Sequence, residues 1–172
     1  MGSKNALYEP LPPKVTICRE APEPDEEGDG GGGEIVGNCI SILPGIYEVR
    51  YVCYTTGYFK NNAKVTVHCS VVNPEEYAGT PLERFYNVDF LKGPPKRYGK
   101  YRAKARGDLV REIGMLIGPT KRLDRLSISG LRHKRLICEV ETVTNDRDKR
   151  PLSPDQQYSC IRRFIKILDE DW

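Results

Sequence analysis

Residues 92–107 read KGPPKRYGKYRAKARG, with seven Lys or Arg, no acidic residue, and Tyr98 and Tyr101 inside the run. Cations at that density suit phosphates, and rings among them suit unpaired bases, each stack being worth roughly 1–3 kcal/mol. Lys96, Arg97, Lys100, Arg102, Lys104 and Arg106 are therefore the candidate phosphate contacts, with Tyr98 and Tyr101 as candidate stacking rings. Gly93, Pro94 and Pro95 argue against a strand. The segment is expected to be a flexible loop that clamps a nucleic-acid backbone.

Other candidates lie elsewhere in the chain. Arg50, Lys64 and His68 fall on the polar faces of two strand-like runs. The stretch TTGYFKNN reads as a hairpin tip carrying Tyr58, Phe59 and Lys60, whose two rings serve equally well as ligand contacts or as a hairpin plug. LRHKR adds Arg132, Lys134 and Arg135, and a late polar loop adds Arg147, Lys149 and Arg150. Tyr47, Tyr51 and Phe90 read as core, and His68 and His133 as ordinary surface residues.

Catalytic chemistry finds little support. The chain has no phosphate-binding GxxxxGK[ST] loop, no HExxH and no GxSxG, and Asp89, Asp108 and Asp124 are scattered. The expectation is a protein that is not an enzyme and needs no cofactor. Six cysteines include no CxxC pair, and only His68 and His133 accompany them, so no metal site is expected. Several cysteines sit in apolar runs (VRYVCY, VHCSVV, LICEV), which suits reduced core thiols in a cytoplasmic protein. No apolar stretch has the length of a membrane span, and no signal peptide is evident.

The net charge of +3 conceals an uneven distribution. Residues 1–34 carry three basic and eight acidic residues, whereas residues 92–135 carry fourteen basic and three acidic ones. An extended positive field points to a polyanionic partner. Residues 1–36, which include EAPEPDEEGDGGGGE, are expected to form a disordered or extended acidic tail that cannot bury enough apolar surface to fold. Residues 37–168 form the expected domain, and residues 169–172 a short acidic tip.

The elements that must position these residues follow from periodicity. Tyr47, Val49, Tyr51 and Cys53 alternate with polar neighbours, as do Ala63, Val65, Val67, Cys69 and Val71, which predicts two strands joined near the Asn-Asn pair. PLERFYNVDFL is a third strand. GDLVREIGMLIGP predicts a helix capped by Asp108, with a stripe of Leu109, Ile113, Leu116 and Ile117 and a stop at Gly118-Pro119. LICEVETV and YSCIRRFIKIL are two further strands flanking a turn-rich loop. The fold class is mainly β with one helix, in the order β-β-β-α-β-β. That is the element order of the OB-fold, a five-stranded, partly open barrel that binds oligonucleotides.

LPGIYEVRYV, YAGTPLERFYNV, the helix ending MLIGP, and KRLICEVETVTNDRD together resemble the OB-fold single-stranded-DNA-binding proteins of phages, plasmids and mobile elements. The resemblance covers roughly residues 43–168. It implies sequence-nonspecific binding of single strands during replication, recombination or repair. The closing LDEDW resembles the acidic tip of bacterial single-strand binders, which implies that Asp169, Glu170, Asp171 and Trp172 recruit partner enzymes. The basic run before the helix has no counterpart in that family. Two alternatives stand beside this reading: an RNA-binding OB-fold protein, or an interaction module such as a phage- or plasmid-encoded inhibitor of a host protein. A homodimer is expected, because a single small domain gains from avidity.

Overall fold

The computed structural model describes residues 40–118 and 126–168. The stretch expected to be an acidic tail, Cys18, Cys39, residues 119–125 and the tip at 169–172 lie outside the described residues.

Strands β1 (Gly45–Phe59) and β2 (Asn62–Asn73) form a long antiparallel hairpin. The predicted alternation holds in both: Tyr47, Val49, Tyr51 and Cys53, and Ala63, Val65, Val67, Cys69 and Val71, are buried. The reversal falls on Lys60 and Asn61, at φ 47° and 64°. Both lie in the left-handed region that a two-residue hairpin turn of this twist requires, one residue earlier than the Asn-Asn pair suggests.

Strand β3 (Pro81–Asn87) pairs with β2, and β6 (Arg135–Val143) and β7 (Tyr158–Leu168) add to the other side of β1. The result is a five-stranded antiparallel sheet in the order β3-β2-β1-β6-β7. The protein is mainly β with a single α-helix among the described residues, α1 (Asp108–Ile117).

The sheet does not close into a barrel by hydrogen bonds. Its edges, β3 and β7, approach one another but share no ladder. Helix α1 bridges the seam instead. Glu112 accepts from Arg84 of β3 through Nη2 at 2.8 Å and Nε at 3.3 Å, and also from the backbone N–H of Phe164 on β7. Burial alone would lower the Arg84 pKa, but the hydrogen bond and charge of Glu112 outweigh it and hold it raised.

On α1 the predicted stripe is present, with Leu109 and Ile113 buried and Leu116 and Ile117 packed at the rim of the core. The N-cap differs from the expectation. Gly107 occupies it without a side-chain bond, and Asp108 is the first helical residue, paired with Arg111 at 2.8 Å. A carboxylate in the first turn is still favoured by the helix dipole. Gly118, at φ 97°, ends the helix.

The basic segment is not the free loop that its glycines and prolines suggest. Strands β4 (Phe90–Leu91) and β5 (Tyr101–Arg102) make a short antiparallel ribbon. Its base hangs from β2 by Val88 N–H to Ala63 O at 3.1 Å. Its tip reaches β1, where Thr56 N–H donates to Lys96 O at 3.0 Å and Tyr98 N–H to Tyr54 O at 3.0 Å. Leu91 is buried, and Tyr101 and Ala103 pack against the core. The ribbon thus passes across the core side of the hairpin and emerges at the far edge of β1.

Cys53, Cys69, Cys138 and Cys160 are buried free thiols, as the apolar context predicts. Among the described residues, no helix is long and apolar enough to cross a membrane.

Candidate nucleic-acid interface

Two places gather the sequence-predicted residues. The first is a cleft of about 690 Å³ between the tip of the β1–β2 hairpin and the loop joining β6 to β7. Phe59, Lys64, Lys104, Arg147 and Tyr158 line it, with Asn62, Asn87 and Asn145 adding amide groups. Phe59 is half exposed, and the Lys64 ammonium stands 4.9 Å from its ring centroid. The opposing wall is stiffened by Asp146, whose carboxylate accepts from Asp148 N–H and Arg150 N–H at 2.8 Å each. Among the described residues, no acidic side chain pairs with Lys64, Lys104 or Arg147.

The second place is the ribbon tip. Tyr54 is its hub: the ring meets Tyr98 edge-on at 5.4 Å and Tyr101 at 5.9 Å, and the hydroxyl donates to Gly99 O at 3.2 Å. Thr56 clamps Lys96, its Oγ1 lying 3.1 Å from both the backbone N and O of that residue. The tip is held by backbone and tyrosine contacts, and not by acids. Lys96, Arg97, Lys100, Lys104 and Arg106 are exposed with no carboxylate in ion-pair range among the described residues, while Arg102 only approaches Asp89 at 3.9 Å.

Other predicted residues are distributed as follows. Arg50 is exposed on the outer face of β1, across from Arg135. Arg135 itself is engaged, its Nη1 donating to Glu48 Oε1 at 2.7 Å. Lys60 lies 3.9 Å from Asp148, so it ties the hairpin tip to the opposite loop. Tyr58 is exposed beside Phe59 at the tip. Arg132 reaches the Tyr98 ring, 5.0 Å from its centroid, whereas Lys134 is half-buried at the start of β6 and apart from both places. His68 bridges Thr55 and Glu83 on the outer face, as a surface residue should.

Two aromatic expectations fail. Tyr101 was expected to be exposed, but it is half-buried against Tyr54, and burial pushes its hydroxyl pKa well up. Phe90 was expected in the core and is 43% exposed, with the Arg102 guanidinium 5.7 Å from its ring. A two-residue strand has no period from which its facing can be read.

Sequence reasoning missed Tyr158, Asn87 and Asn145 in the cleft, and Tyr54 and Thr56 beneath the ribbon. Pairing β6 with β7 would have found Tyr158, which sits opposite Val143 where the hairpin opens. No family model, no curated protein and no solved structure matches this chain.

Proposed function

We propose that this protein is an OB-like binder of single-stranded nucleic acid, DNA in the first place, without sequence choice, serving replication, recombination or repair of a phage or mobile element. The strand order β3-β2-β1-β6-β7, with the helix between the third and fourth long strands, supports the OB-like reading. In that fold, oligonucleotides lie across the strand 2–3 face between the loop after the first strand and the loop before the last. The observation that carries the proposal is the cleft at that position, with Phe59, Lys64, Lys104 and Arg147 around it. Rings stack on any base and cations follow the backbone, so the combination favours unpaired strands over any particular sequence.

Fluorescence anisotropy with labelled oligo-dT, a matched duplex and oligo-rU at two salt concentrations tests the proposal. Oligo-dT should bind tightest, and more weakly at the higher salt concentration. Preference for the duplex would overturn the proposal, and preference for oligo-rU would move the ligand to RNA.

A further inference from the structure

The described chain begins beside the cleft. Ile40 O accepts from Ser159 N–H at 2.8 Å, Ser159 Oγ accepts from Ile42 N–H at 2.8 Å, and the same hydroxyl donates to Ile42 O at 3.0 Å. Ile42 and Ser159 are both buried. These bonds fix residues 40–42 against the start of β7. Ser159 follows Tyr158, which lines the cleft. The preceding 39 residues are therefore anchored one residue from the cleft wall.

The charges on the two sides are opposite. Among its lining residues the cleft carries Lys64, Lys104 and Arg147 against one carboxylate, Asp146. No acidic side chain pairs with those three cations among the described residues. Residues 23–29, EPDEEGD, hold five carboxylates and no cation. The ten residues 30–39 separate that run from Ile40. Ten residues extend to about 33–36 Å at most, the diameter of a small domain, so the cations of the cleft are within reach. A short tether holds its two ends at an effective concentration on the order of millimolar, at which weak exposed ion pairs suffice. The acids at 169–171 are placed differently. They follow Leu168 at the far end of β7, roughly 33 Å along the strand from Tyr158.

We infer that residues 23–29 dock on Lys64, Lys104 and Arg147 and occupy the cleft when no strand is bound. The cleft then has two occupants that exclude one another, this chain's own acidic run and an incoming polyanion. The run brings charge but no ring. A strand adds bases that stack on Phe59, so the strand prevails. The docking stands on the anchor and the charges, and its displacement by a strand rests on the nucleic-acid reading above.

Carbodiimide cross-linking of the full chain tests this, because the reagent joins a carboxylate to a lysine ammonium only where the two touch. Peptide mapping should find residues 23–29 joined to Lys64 and Lys104 within single chains, in preference to the exposed Lys92, Lys96 and Lys100 of the ribbon. Saturating oligo-dT should abolish those links. In parallel, a variant carrying Glu23→Gln, Asp25→Asn, Glu26→Gln, Glu27→Gln and Asp29→Asn should bind short oligo-dT on the order of tenfold tighter at low salt, with the gap closing as salt rises. Absent links, links spread evenly over exposed lysines, or links between chains would overturn the docking even if oligo-dT binds. Links that survive saturating oligo-dT would overturn the mutual exclusion. Links confined to Lys64 and Lys104, with no oligo-dT binding by the native chain or the variant, would leave the docking in place and remove the proposed function.

Discussion

Glu112 does the work that a strand ladder does elsewhere in the sheet. It is buried on α1, yet it satisfies Arg84 on one edge and Phe164 N–H on the other. Removing one member of a buried pair leaves the other charge unmatched, which costs about 3–5 kcal/mol. Glu112→Ala should lower the unfolding free energy obtained from urea denaturation by that amount, and Glu112→Gln by less, because the amide oxygen still accepts from Phe164. Buried acids predict a second effect. Burial pushes the Cys138 thiol up to about 12, with Glu112 adding, and raises Tyr51, Tyr86 and Cys69 as well. Unfolded thiols and phenols ionise near 9.0 and 10.0, while the folded ones stay neutral. Their contribution to stability is full below pH 9.0 and declines as the pH climbs toward the folded value of about 12. Denaturation midpoints measured from neutrality into alkali should be flat below the thiol range and then fall.

At the level of elements, the ribbon decides how the cations are presented. Its tip lies so close to β1 that a Cβ on Gly99 would fall 2.0 Å from Thr56 Oγ1. Gly99→Ala must therefore push the tip off β1, at a cost of about 1–3 kcal/mol. Thr56→Val keeps the volume but leaves Lys96 N–H without its side-chain acceptor. Hydrogen exchange should then quicken at the Thr56 and Tyr98 amides while the β1–β2 core amides stay protected. Unchanged exchange at these two amides would mean that the ribbon is held some other way. The hairpin and β6 were legible in the sequence because their period-two faces are local, and β7 was legible as an apolar, β-branched run although its burial does not alternate. The ribbon was not, because its partners lie on a strand some forty residues earlier (a separation of 40 for Thr56 and Lys96) and its glycines and prolines mask the pairing. Tyr101 was misread for a related reason: its cationic neighbours suggest water, while its burial is set by Tyr54.

Considered whole, the molecule presents cations on both sides of one hairpin, in the cleft and at the ribbon tip. Replacing Lys96, Arg97, Lys100 and Arg102 together with Ala should weaken binding of every oligonucleotide sequence by a similar factor, because backbone contacts carry no base information. A loss confined to one sequence, seen in parallel anisotropy titrations of oligo-dT, oligo-dA and mixed strands, would contradict nonspecific recognition. The candidate site was legible in the sequence as composition, namely charge beside rings. It was not legible as geometry, since the cleft is made by Phe59, Asn87 and Tyr158 meeting from three separate strands or their ends.

The seam between β3 and β7 bears on how this chain behaves in a crowded solution. Open sheets ordinarily offer outward-facing rims onto which a stranger's backbone can zip, and that is how fibres begin. Here the two rims face each other, and a carboxylate already holds one of the amides there. Among the described residues, the five-stranded sheet therefore leaves less rim open to a foreign strand than an open sheet of the same size would.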